Sequence, residues 1–394
     1  MNKKDKVSIK ELRERQYKVQ RQLIGNELDA CIVTSSVNQF YLHQSIFDGY
    51  SYVPAEGEPI LFVRRPVGIE VQNGEVIYIR KPEQIPDLLH ERKLALPRQI
   101  GIEMDSVSHT LAERIKKAWN QPQFLNFSHI IREIRSVKSD YELEQMRQCA
   151  SIQSDVYRSI PSLYRKGFTD IEFQIEVEYL MRKKGSLGIF RAFGDKMDIF
   201  MGSVLAGDNA QSASPFDFSM GGKGLSAYLP IGASGILLEE GMVVMFDMAG
   251  NFRPYQSDLS RTFAIGKVDK KVSDAHQLSI EMNQWVEQNV KEGTPCSEIY
   301  NHSMKMVERH RLEKYFMGVQ QQAAFVGHGV GLEINEPPVL MARSKTVLQA
   351  NVAFAYEPKF VFPGIGAVGV ENTFIVARDG VEKITLCEEQ LIEL

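Results

Sequence analysis

The chain has 394 residues, with 46 Lys and Arg against 50 Asp and Glu for a formal charge of −4. That length exceeds what one hydrophobic core usually serves and points to two domains, while the near balance of charge leaves no footprint for nucleic acid or anionic lipid. No run of about 18 apolar residues marks a membrane span or secretory leader, and four dispersed cysteines without CxxC spacing argue for reduced thiols, so the expected setting is the cytoplasm.

In chain order, Ser8 to Glu11 reads as a capping box that opens a helix to about Gly25. The apolar segments DACIVTS, PILFV, EVIYI and IGIEM follow as strands, with a helix near LAERIKKAW. This alternation predicts a small α/β domain over residues 1–135. Ser139 to Glu142 and Thr169 to Glu172 are further capping boxes, each ahead of an apolar stripe at helical spacing. Helices are expected at roughly Ser273 to Glu292 and Ser297 to Glu313, between strands at MVVMFDMA, LSRTFAIG, VAFAYEP and VENTFIV. Residues 136–394 are therefore expected to form an α+β domain around an antiparallel sheet.

Two hairpins carry the chemistry. If FDMAGNFRPYQSDLSRTF turns between Phe252 and Arg253, Asp247 faces Asp258. If the chain turns at Gly364, Glu357 faces Glu371. Facing like charges are unfavourable unless a proton or cation intervenes, and all four acids adjoin apolar runs that demand burial. A transition metal would favour an imidazole among them, and His328, flanked by glycines in FVGHGVGLE, is the candidate. Any one acid in isolation would read as a solvent-facing surface residue, and a lone histidine as structural. The sequence contains neither G-x-S-x-G nor the Walker or dinucleotide glycine patterns.

Asp247, Asp258, His328, Glu357 and Glu371, in that order, resemble the five metal ligands of the pita-bread metallopeptidases, the M24 family of aminopeptidase P, Xaa-Pro dipeptidase and methionine aminopeptidase, with creatinase as a relative. SDLSRTF, GHGVGLE, EPKF, VENTFIV and the linker at Ile131 to Ile152 extend the likeness over nearly the whole chain. The resemblance implies a creatinase-like N-terminal domain, a catalytic domain with a curved antiparallel sheet, and commonly a homodimer. It also implies two divalent ions, manganese first and then cobalt, zinc or iron. Asp258 and Glu371 would bridge them, with Asp247 on one ion and His328 and Glu357 on the other. A water between the ions would attack the amide, with Glu357 as general base and His328 the second catalytic residue.

Departures from the family pattern bear on substrate. Its accessory histidines fall here on Ser214, Ala324 and Asn335, and an arginine two residues before the last glutamate falls on Gly369. Ser214 and Asn335 are the expected substrate-binding replacements, with Asp217, Lys223 and Tyr228 as weaker stand-ins and Phe190, Phe193 and Phe216 as candidate pocket aromatics. The expected activity is cleavage of an amide bond next to proline. The alternatives are hydrolysis of a non-peptide C–N bond in a small zwitterion, or a weakly catalytic or purely binding member that retains the metal.

Overall fold

A computed structural model describes residues 7–194, 200–216 and 218–394. Contacts divide the chain into two units, residues 1–135 and 136–394. Among the described residues no helix is long and apolar enough to cross a membrane.

The first unit is built on one mixed sheet. Its strands are β1 (Ala30–Val33), β2 (Asp48–Pro54), β3 (Ile60–Arg65), β4 (Glu75–Tyr78), β5 (Gln99–Ile102) and β6 (Gln123–Asn126), ordered β4-β3-β2-β1-β5-β6. Ile32, Phe62, Ile100 and Trp119 pack in its core with helix residues Leu89 and Ile115. Helix α1 (Ile9–Gly25) starts where Ser8 Oγ accepts from Glu11 N, while the Glu11 carboxylate accepts from Arg15 Nε at 2.8 Å. The remaining helices of this unit are α2 (Ser36–His43), α3 (Ile85–Glu91) and α4 (His109–Ala118), and α5 (Ser128–Ser136) runs up to the division. The helix–strand alternation is thus an α/β unit, as its periodicity predicts.

In the second unit the capping boxes at Ser139 and Thr169 form in full and open α6 (Asp140–Leu163) and α7 (Asp170–Lys183). Val156, Phe173 and Val177 on these helices pack against a sheet of β7 (Gly202–Ala206), β8 (Val243–Met248) and β9 (Ser260–Ala264). Phe173 meets Phe246 edge-on at 4.8 Å, the arrangement aromatic quadrupoles favour.

Next come α8 (Lys270–Asn289) and α9 (Cys296–Arg309), which start earlier than Ser273 and Ser297 suggest. Asp269 caps α8 by accepting from Lys271 N, and Pro295, without a capping side chain, stands at the N-cap of α9. They cover a second sheet of β10 (Phe325–Gly329), β11 (Glu336–Met341), β12 (Ala353–Tyr356), β15 (Asn372–Val376) and β16 (Val381–Lys383). Its order is β11-β10-β12-β15-β16, antiparallel throughout. A ladder of β13 (Lys359–Phe362) and β14 (Gly366–Gly369) lies between β12 and β15 in sequence, and β17 (Ile392–Glu393) adds in parallel to β9. The mixture is an α+β architecture with predominantly antiparallel sheets, the class expected from sequence.

Candidate metal centre

The two carboxylate hairpins have different registers. In the second, Tyr356 pairs with Asn372 and Lys359 with Gly369, so one register runs through both ladders and sets Glu357 opposite Glu371. The strands part where the glutamates sit. There α8 supplies support: Ser279 Oγ donates to Pro358 O at 2.7 Å and accepts from Val370 N at 2.8 Å.

The first hairpin corrects the expectation. Asp247 pairs with Ser260, not Asp258. The turn is wider than a tight hairpin because Gly250 bridges to Ser257, and the bare glycine lets Ser257 Oγ and Gln153 crowd where a Cβ would be, at 2.3 and 2.5 Å. The shift is two residues, and because strand faces repeat every second residue Asp258 keeps the face of Ser260. Thr373 Oγ1 fixes its backbone, accepting from Asp258 N and donating to Asp258 O, both at 2.8 Å. Ser260 ties the hairpins together, bridging to Glu371 and donating its Oγ to the Glu371 carboxylate.

His328 enters from β10. Its flanking glycines are required by close packing: a Cβ on Gly327 would stand 2.2 Å from Ala355 O, and one on Gly329 2.1 Å from Pro337 O. His328 Nδ1 lies 3.2 Å from Gly329 O, a contact in which Nδ1 donates, and this orientation turns Nε2 inward. Nε2 is 3.5 Å from Glu357 Oε1 and 3.7 Å from Asp258 Oδ2. These exceed hydrogen-bond length but match two ligands about 2.1 Å from one tetrahedral ion, which stand roughly 3.4 Å apart. The loop after His328 is held by Glu336, which accepts from Leu332 N at 3.0 Å and pairs with the buried Lys138 at 3.1 Å.

The structure therefore brings all five expected ligands into one cage, with Asp258, Glu357 and Glu371 buried and Asp247 and His328 partly open. Asp258, His328 and Glu371 form one group that could hold an ion, and Asp247, Glu357 and Glu371 form another. The second group already has a cation. Lys359, with no side-chain exposure, places Nζ 2.7 Å from Asp247 Oδ2, 2.8 Å from Glu357 Oε2 and 3.1 Å from Glu371 Oε2, with Ser219 Oγ at 3.2 Å. The donor set thus fits an ion on the His328 side and does not fit one where the ammonium sits.

Electrostatics follow from this crowding. Burial and the neighbouring Asp247 and Glu357 push Asp258 up to about 7, against the pull of His328 and Lys359. Burial and Asp258 raise Glu371 well above the carboxylate range. Burial works the same way on Glu357, but Lys359 and His328 overcome it and hold that carboxyl below its ordinary value. Burial would neutralise Lys359, yet Asp247, Glu357 and Glu371 keep it firmly protonated.

The remaining sequence candidates separate. Asn335 clamps a loop: its Oδ1 accepts from Phe193 N at 2.7 Å and its Nδ2 donates to Phe193 O at 2.9 Å. Ser214 donates to Pro230 O and accepts from Phe216 N, both at 3.2 Å. It lines a pocket of about 190 Å³ with Phe216, Ser219, Ala324 and Phe325, next to the cage. Phe190 is buried, while Lys223 and Tyr228 are exposed and Asp217 lies outside the described residues. Lys359 is the residue sequence reasoning missed. Its signal was present: Glu357 and Lys359 are two apart, hence on one face, within an otherwise apolar strand run.

Comparison with known proteins settles the family. Residues 144–378 match the model of metallopeptidase family M24, and residues 15–137 that of the creatinase/prolidase N-terminal domain. The chain belongs to the M24 family. It is on that membership a peptidase-type hydrolase. Among curated relatives, the Xaa-Pro dipeptidase of Pyrococcus furiosus is 23% identical over 386 residues, spanning 97% of this chain and 100% of the relative. The fold matches the prolidase of Pyrococcus horikoshii with a TM-score of 0.79 at 23% identity, covering 96% of this chain and 100% of that one. The Xaa-Pro dipeptidase of Bacillus anthracis matches equally, with a TM-score of 0.79 at 23% identity, covering 97% and 100%.

Proposed function

We propose that the protein hydrolyses an amide bond in small peptides, with the bond preceding proline as the first substrate class. The observation that carries this reading is the buried cage of four carboxylates and one imidazole beside a pocket, in a chain whose M24 relatives include Xaa-Pro dipeptidases. Asp258, His328, Glu371 and Glu357 would hold a divalent ion, manganese being the first to try. Such an ion supplies Lewis acidity toward the scissile carbonyl.

The chain's own residues do the rest. Glu357, kept ionised by Lys359, is the proton acceptor for the attacking water and returns that proton to the leaving nitrogen. Ser260 and Thr373 hold Glu371 and Asp258 in place. Phe216, Phe325 and the small Ala324 give the adjoining pocket an apolar wall suited to a compact side chain. No imidazole stands at 214, 324 or 335, so donors to a developing oxyanion are fewer, and each such donor can be worth about 10²–10³ in turnover. The second reading is hydrolysis of a non-peptide C–N bond in a small zwitterion. A homodimer is part of the first reading and is checked by light scattering.

The test is a panel of Xaa-Pro dipeptides, Xaa-Pro tripeptides, Xaa-Ala dipeptides and N-carbamoyl or N-amidino amino acids, each assayed with manganese, cobalt or zinc. Turnover confined to Xaa-Pro substrates supports the first reading. Turnover confined to the non-peptide compounds would transfer the assignment to the second.

A further inference from the structure

Lys359 changes how many cations the cage can take. An ammonium has three N–H donors and no acceptor, and here three carboxylates and one hydroxyl surround it at 2.7–3.2 Å with the side chain wholly buried. The contacts to Asp247 and Glu357 have the lengths of charge-assisted hydrogen bonds, and Glu371 adds an ion pair at 3.1 Å. The oxygens it uses on Asp247, Glu357 and Glu371 belong to the group that would otherwise bind an ion of its own.

The neighbouring strand is shaped to keep it there. Lys359 pairs directly with Gly369, and a Cβ on Gly369 would stand 2.5 Å from Pro358 O, 3.0 Å from Lys359 Cα and 3.2 Å from Lys359 Cγ. The basic side chain that the family resemblance places at 369 is thus missing, and a basic side chain stands at its cross-strand partner.

Charge decides what else must be present. Four carboxylates crowd around one ammonium, and so many acids packed together are unfavourable unless protons or a further cation intervene. On the opposite side, His328 Nε2 stands 3.7 and 3.5 Å from Asp258 and Glu357, about the spacing of ligands around one ion. We propose that Lys359 Nζ is a built-in cation that replaces one of the two ions of the cage, so that the folded chain holds a single divalent ion, on the His328 side. This rests on reading the cage as a metal centre and is independent of which bond is cut. The ammonium orders Asp247, Glu357 and Glu371 but offers no coordination site, so substrate meets one Lewis acid and a fixed positive charge.

The test is metal stoichiometry. Protein saturated with manganese and desalted is assayed by mass spectrometry and by electron paramagnetic resonance, alongside Lys359→Gly and Asp258→Ala. The parent should hold about one ion with an isolated six-line signal, Lys359→Gly should rise to about two with an exchange-coupled signal, and Asp258→Ala should lose most of its metal. Two ions or a coupled signal in the parent, no ion in the parent, or a folded Lys359→Gly variant that still holds one would each overturn the proposal. If Lys359→Gly does not fold, the parent's stoichiometry and signal decide alone. Peptide turnover is scored separately. One ion without turnover refutes the functional reading and leaves this one standing, whereas two ions with turnover does the reverse.

Discussion

Replacing Lys359 with methionine removes the ammonium and keeps most of the stem's volume, so the change is mainly one of charge. In the parent Nζ makes three contacts of 2.7–3.1 Å to carboxylates that are themselves largely or wholly buried. Removing one partner of a buried ion pair typically costs about 3–5 kcal/mol, because the other charge is left uncompensated. Here three carboxylates share the one cation, which places Lys359→Met at the upper end of that range in chelator. A divalent ion on the His328 side would offset part of the loss. Ligand at about 100 times its Kd contributes roughly 2.7 kcal/mol, and a more negative cage should bind the ion more tightly, so manganese should narrow the gap between variant and parent. Urea unfolding followed by circular dichroism, with chelator and with manganese, reads both effects. A variant within about 0.5 kcal/mol of the parent in chelator would refute the reasoning, since that is the range of inconsequential surface changes.

Two further perturbations probe the scaffold. Gly329→Ala puts a Cβ 2.1 Å from Pro337 O and 2.7 Å from Glu336 O, both backbone atoms, so β10 and β11 must part beside His328. A loss of about 1–3 kcal/mol is expected, and unchanged thermal melting would count against the packing described. His276 is held down to about 4 by burial, with Arg261 acting the same way and Glu389 opposing. The unfolded chain therefore takes up that proton first. Its contribution to stability is complete above the ordinary value of 6.5 and is lost as pH falls toward 4. The slope is about 1.4 kcal/mol per pH unit inside that window. His276→Gln should flatten a plot of unfolding free energy against pH between those limits, and an unaltered slope would argue against His276 as its source.

How much was legible in the sequence depended on local geometry. The pairing of Glu357 with Glu371 could be read because the turn around Gly364 is tight and both flanking ladders keep one register. The pairing of Asp247 with Asp258 could not, because Gly250 admits Ser257 and Gln153 and widens the turn by two residues. The three capping positions at Ser8, Ser139 and Thr169 were visible since their bonds span three residues. The bonds of Asn335 to the main chain of Phe193 could not be read, because the two residues stand more than a hundred positions apart. Lys359 escaped notice because a lysine beside a glutamate ordinarily reads as solvated surface. Only the fold shows that its strand turns that face into a cage of carboxylates and leaves the ammonium no solvent exposure.

The central claim is that amide hydrolysis is seated in this cage. The most direct measurement is kcat/KM for an Xaa-Pro dipeptide in manganese, parent against Asp258→Asn, with circular dichroism to verify folding. Changing a residue that merely supports a metal ligand typically costs about 10–100-fold, so loss of Asp258 itself should exceed about 100-fold. A folded Asp258→Asn protein that keeps the parent's rate would contradict the account.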